Sequence, residues 1–221
     1  MVSIRRRELL LAVVLSGVSG FLDAVGYLYL GGFFISFMSG NSTKMAASAA
    51  EGMWPSAGRA LGVIGLFFLG VIAGSVMSRV GDGRATVLWA TTGVVTVAAA
   101  AHTAGVTVPA VLLLAVAMGV LNSTFQRGGE VSIGLTYMTG TLVKAGQRLV
   151  DAAFGGPRYL WLRYVMLWLA LTSGAVAGAY SYTRWHLTVL WGAAAVLAAT
   201  AAVTTIVRAA TRTRPSAGGN R

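Results

Sequence analysis

Ser36-Phe37-Met38-Ser39-Gly40-Asn41-Ser42-Thr43-Lys44-Met45 is answered one hundred positions later by Thr136-Tyr137-Met138-Thr139-Gly140-Thr141-Leu142-Val143-Lys144-Ala145, in a chain that is otherwise mostly apolar. The echo is wider than this block. Gly20-Phe21-Leu22-Asp23 matches Gly119-Val120-Leu121-Asn122, and Arg59, Gly70 and Gly74 match Arg163, Gly174 and Gly178, with the offset drifting by a few residues. Duplication accounts for this run of matches better than chance. Each copy carries a short polar break inside apolar sequence. In a bilayer, irregular backbone survives only where it is buried in protein or lines a cavity. Paired interruptions at corresponding positions of two halves are therefore the best sequence-level pointer to a transport site.

The surrounding composition places the chain in a membrane. Of 221 residues, 56% are hydrophobic and only 10% are charged, and the mean hydropathy is +0.74, so there is too little polar surface to cover a soluble globule. Apolar stretches near 9–30, 60–79, 85–102, 108–126, 160–181 and 186–207 reach the roughly 20 residues that a spanning helix needs. The net charge of +11 sits at the ends of these stretches, at Arg5-Arg6-Arg7, Arg79, Arg84, Arg158, Arg163, Arg208, Arg212 and Arg214. That is the signature of positive-inside topology, and no basic run interleaved with aromatics offers a nucleic-acid platform. The chain has no cysteine, which excludes disulfides, iron–sulfur clusters and thiolate sites. The Arg-rich start resembles a signal peptide, but its apolar run continues into the repeat without an A-x-A cleavage site, so it is expected to stay as the first span.

The loops set the expected topology. With the basic N-terminus in the cytoplasm, a full crossing by 33–50 would put Arg79, Arg84, Arg127 and Arg184 outside, against the positive-inside rule. If 33–50 instead dips in and returns, the 79–84 turn, Lys144, Arg148, Arg158 and the C-terminal arginines all fall inside. The expected fold is thus an all-α membrane protein of two inverted three-helix repeats, about 8–102 and 108–208, each with an interrupted or re-entrant helical segment. Both termini are expected in the cytoplasm, and the polar tail 209–221 is expected to be disordered. Eight full spans in two parallel four-helix halves are the alternative.

The residues able to carry chemistry cluster at the breaks. Ser39, Gly40, Asn41, Ser42 and Thr43 favour helix caps over helix interiors, so a half-helix is expected to start there with its N–H groups free for a polar or anionic group. The other reading is close helix packing, with the hydroxyls bonded back to the backbone. Thr139, Gly140 and Thr141 repeat the feature. Asp23 lies deep among Phe21, Leu22, Ala24 and Val25, where a carboxylate costs about 2.5–3.5 kcal/mol and should face the protein interior. It is either a proton or cation site or a structural hydrogen bond to the broken segment. Asn122 is its neutral counterpart. Lys44 and Lys144, the only lysines in the chain, either neutralise Asp23 and a bound anion or snorkel to an interface, the commoner fate. His102 and His186 stand singly at span ends, away from any metal-ligand spacing. Neither a metal nor a cofactor is implied. The Gly70/Gly74 and Gly174/Gly178 steps permit close helix packing, within the protomer or in a homo-oligomer.

Gly20-x-x-Asp23-Ala24, Phe34-x-Ser36-x-Met38-Ser39-Gly40-Asn41, Gly119-x-x-Asn122 and Met138-Thr139-Gly140-Thr141 resemble the YoaK family of bacterial multi-pass membrane proteins over nearly the whole chain. That family usually has Thr-Gly-Asn where this chain has Ser39-Gly40-Asn41, and often a Gln where this chain has Leu121. The resemblance implies a bacterial inner-membrane location and, since the family's function is unknown, supplies no substrate. The sequence favours a small secondary transporter or permease whose partners are the lipid bilayer and a small solute. Asp23, Asn41, Asn122 and Thr141 would lie near its midplane. An intramembrane enzyme lacks a nucleophile with its base, and a non-transporting scaffold is the remaining class.

Overall fold

Glycine, proline and polar runs punctuate apolar segments of span length, and the chain folds accordingly. The computed structural model describes residues 6–80, 82–127, 130–131 and 134–212. Their helices are α1 (Arg6–Tyr29), α2 (Met38–Ala50), α3 (Trp54–Met77), α4 (Arg84–Thr103), α5 (Thr107–Asn122), α6 (Met138–Ala153), α7 (Leu160–Trp185) and α8 (Leu190–Arg212). Glycines at positive φ close the turns at Gly52, Gly105 and Gly155, where a side chain would be strained. After α5 the backbone takes a short 3-10 turn, Ser123–Phe125, and a two-residue antiparallel pairing of Gln126 with Val131 and Arg127 with Glu130.

By length and composition, five helical stretches can cross a membrane: Arg6–Tyr29, Trp54–Met77, Arg84–Thr103, Thr107–Phe125 and the 51-residue run Leu160–Ala210. A continuous helix of 51 residues would be about 77 Å long, more than twice the hydrocarbon thickness of about 30 Å. It is in fact α7 and α8, parted at His186, whose φ is 48°. All six apolar stretches of the sequence therefore appear as helices.

Side-chain contacts fix the helix directions. Glu8, early in α1, pairs with Arg84 at the start of α4 at 3.2 Å, and Arg84 donates to the Thr124 carbonyl just beyond α5 at 3.3 Å. So α1 and α4 begin, and α5 ends, at one end of the bundle, the near end. Gly17 lies against Gly174 and Phe21 against Gly178, which makes α1 and α7 parallel. Gly70 against Val116 and Gly74 against Val120 make α3 and α5 parallel. Asp82 with Arg208 at 2.8 Å and Trp89 with Thr205 at 3.1 Å make α4 and α8 antiparallel. Thus α1, α4 and α7 run from the near end to the far end, and α3, α5 and α8 run back. Because α1 ends and α3 begins at the far end, α2 dips in and returns there. α6 does the same at the near end, between α5 and α7. At 13 residues, α2 is about 20 Å long, too short for the roughly 30 Å of hydrocarbon. These directions do not give the eight-span alternative.

The largest helix interfaces join the two halves. α1 packs on α7 and α3 on α5, while α2 lies on α3, α6 on α7, and α4 against both α5 and α8. Glycine makes the cross-half contacts possible. A Cβ on Gly174 would fall on the Gly17 carbonyl, and one on Gly119 would fall on the Phe67 carbonyl, so only the bare backbone allows this approach. The Gly70/Gly74 and Gly174/Gly178 faces, which the sequence also offers for homo-oligomers, are thereby spent inside the protomer. Leu15, Leu22, Leu88, Leu114, Met118 and Leu197 fill the centre. Leu61, Phe68, Leu69, Ile72 and Val176 line the outside, as expected of a lipid-facing surface. α8 continues to Arg212, four residues into the tail expected to be disordered, and 213–221 lie outside the described residues.

Candidate functional site at the two polar breaks

The first break is held by side chains reaching across to backbone. α1 ends in a glycine cap, with Gly31 at φ 66° and Gly32 at φ 95°, and the Gly32 N–H returns to the Tyr27 carbonyl at 2.8 Å. This 6→1 bond is the Schellman closure. The chain then turns back along α1, and the half-buried Asp23 accepts from the Ile35 N–H at 2.9 Å and the Ser36 N–H at 2.8 Å through one oxygen, Oδ1. Asn41, fully buried, clasps the next residue on both sides. Its Oδ1 accepts from the Phe34 N–H at 3.0 Å and its Nδ2 donates to the Phe34 carbonyl at 2.6 Å. Asp23 and Asn41 together thus fix three consecutive backbone units in front of α2. Gly40 leaves room for the Phe37 and Phe34 rings, which meet edge-on with centroids 5.2 Å apart.

Lys44 does not reach Asp23. Its Nζ donates to the Gly32 carbonyl at 2.8 Å and the Gly31 carbonyl at 3.4 Å, and it lies 4.3 Å from the centroid of the Phe33 ring. A cation there completes the C-terminal cap of α1. The hydroxyls of Ser42 and Thr43 bond back to the carbonyls of Met38 and Ser39, as the packing reading of the sequence expects. α2 begins without a side-chain cap, so the run 39–43 does not cap it.

The second break repeats the strap with neutral groups. Asn122 donates from Nδ2 to the Met118 carbonyl at 2.9 Å and accepts from the Thr136 hydroxyl at 3.3 Å. Thr136 is the counterpart of Ser36. Thr141 bonds back to Tyr137 at 2.8 Å, and Thr139, Gly140 and Lys144 are exposed. Between the end of α5 and this break, Arg127 pairs with Glu130 in the short antiparallel ladder. Residues 128–129 lie outside the described residues.

The two breaks do not share one space. Asp23 is fifteen residues beyond Glu8, whereas Asn122 stands two residues before Thr124, which Arg84 ties to Glu8. At 1.5 Å per residue the two groups lie about 20 Å apart in depth, toward opposite ends of the bundle. The midplane meeting expected from the sequence is therefore not observed. The reason is geometric: when α1 and α5 run in opposite directions, equivalent residues near their C-termini go to opposite ends. α2 and α6 pack on α3 and α7 rather than on each other. The two described cavities lie along α1 and α8 and are lined by none of the predicted site residues. Sequence reasoning missed a polar cluster between the halves, where Ser78 donates to Gln126 Oε1 at 2.9 Å, Gln126 donates to Ser75 at 3.0 Å, and Ser75 lies 3.5 Å from Ser123. No repeat marks these residues.

Six apolar helices and two polar elements that enter from opposite ends define a multi-pass α-helical membrane protein with paired re-entrant segments. More particularly, the chain belongs to the family described as protein of unknown function (DUF1275), whose model matches residues 11–203, in keeping with the YoaK-like resemblance. It is similar to a UPF0700 transmembrane protein of Rhizobium meliloti (strain 1021), with 31% identity over 178 residues, 79% of this chain and 77% of that relative. No solved structure matches the chain.

Proposed function

We propose that this protein is a small secondary transporter or permease for a small polar solute, set in the bacterial inner membrane as an inverted repeat with both termini cytoplasmic. The observation that carries the reading is the pair of re-entrant elements at opposite ends, each strapped to the first helix of its half by a polar side chain, Asp23 or Asn122. Broken elements of this kind in oppositely directed halves suit alternating exposure of a path. Asp23, the one carboxylate in the pair, is the group able to couple the cycle to a proton or cation. No enzymatic step enters this reading.

Thr43 and Thr141 stand on α2 and α6, where a path along the re-entrant helices would wet them. In this cysteine-free chain, Thr43→Cys should react with a small membrane-impermeant thiol reagent from the far side and Thr141→Cys from the near side. Silence of both from both sides would remove the transport reading. One observation favours a non-transporting scaffold: Asp23 Oδ1, Asn41 and Asn122 all hydrogen-bond within the chain. Thermal-shift screening of small solutes against purified protein separates the two, since a scaffold shows no saturable midpoint shift.

A further inference from the structure

A groove of about 830 Å³ opens on the outside of the bundle between α1 and α8. Its walls are apolar, with Val14, Val203 and Ile206 exposed along it. Its mouth, at the near end, holds Arg7, Glu8, Arg84 and Arg208. On α8 it runs from Ala199 to Ala210, about 16 Å, which is the depth of one leaflet of a bilayer whose hydrocarbon is about 30 Å thick. Arg84 faces Glu8 at 3.2 Å and Arg208 faces Asp82 at 2.8 Å. Among the described residues, Arg7 adds a third guanidinium to these two carboxylates, so the mouth carries a positive excess. The seam that the repeat makes equivalent, between α5 and α4, is much more closely packed. The groove is therefore a local feature and not a product of the repeat.

We propose that this groove holds one acyl chain of an anionic phospholipid, with the headgroup phosphate at Arg7, Arg84 and Arg208. An apolar slot one leaflet deep that ends in excess positive charge matches such a lipid in both length and sign. Basic residues at a membrane surface select anionic headgroups by electrostatic attraction, while the chain gains burial in the slot.

Native mass spectrometry of the purified protein, with phosphatidylglycerol or phosphatidylcholine in matched micelles, tests the site. The parent is expected to retain one phosphatidylglycerol in preference to phosphatidylcholine. Arg7→Gln should weaken that retention about fivefold, the weight of one surface arginine toward an anionic headgroup. Val203→Trp fills the slot and should abolish retention. Ile206→Trp serves the same purpose where Val203→Trp does not fold, and Arg7→Gln, on an exposed residue, tests the charge independently of both. Inorganic phosphate at the same concentration should not compete. Equal retention of the two lipids, full retention in a folded tryptophan variant or in Arg7→Gln, or displacement by free phosphate would each overturn the proposal. So would a tryptophan variant that converts a dimer to a monomer, since a second copy would then be the occupant.

Discussion

Asp23 can be tested by comparing two substitutions that both remove its charge. In Asp23→Asn an oxygen remains where Oδ1 accepts from Ile35 and Ser36 at 2.9 and 2.8 Å. The new amide has the outlet that Asn122 uses, the carbonyl four residues back. In Asp23→Ala both N–H groups lose their acceptor. The membrane cost of the carboxylate cancels between the variants, so their difference isolates the strap. Each buried donor left unsatisfied costs about 1–3 kcal/mol, so Asp23→Ala should be less stable than Asp23→Asn by about 2–6 kcal/mol. Reversible unfolding in mixed micelles of a mild detergent and dodecyl sulfate, followed by circular dichroism, measures the difference. A gap below about 0.5 kcal/mol, the size of an ordinary surface effect, would refute the strap. If Asp23 also couples transport, Asp23→Asn should keep near-parent stability and lose ion-dependent solute binding.

Three further outcomes are expected. Gly174→Ala places a methyl against the Gly17 carbonyl, whereas Gly62→Ala meets open space. The first should therefore be less stable than the second by about 1–3 kcal/mol in the same unfolding assay, the usual cost of overpacking. Ser75→Cys with Ser123→Cys, whose hydroxyls lie 3.5 Å apart, should form a disulfide that joins the halves under mild oxidant, seen as a gel shift after cleavage of an engineered site in the 104–106 loop. Failure to cross-link would contradict the α3–α5 pairing. For the proposed topology, Ala104→Cys should react with an impermeant thiol reagent on intact cells and Val80→Cys only after permeabilisation, and the reverse pattern would overturn the proposed orientation.

The helices were legible because span length and hydropathy depend on composition alone, and the re-entrant segments because Ser39 to Thr43 and Thr139 to Thr141 interrupt apolar sequence at matching positions. The glycine echo was also readable, but not its partners. A GxxxG step shows that a backbone can come close, while the surface it meets, Gly17 and Phe21 for Gly174 and Gly178, depends on how the halves interlace. For Lys44 the sequence left two fates open, a partner in Asp23 or an interface, because it does not show that the carbonyls freed by the Gly31-Gly32 cap lie within reach. Ser36 and Thr136 open the echoed block, but the sequence gives them no role of their own; in the fold one offers its N–H and the other its hydroxyl to the strap.

The cross-half glycine contacts also bear on how the chain can be divided. The segment α1 to α4 presents Gly17 and Gly20 on one helix and Gly70 and Gly74 on another, and the backbone that receives them comes from α7 and α5. Neither segment therefore closes its own glycine faces, and the two are expected to fold as one unit rather than as separable pieces.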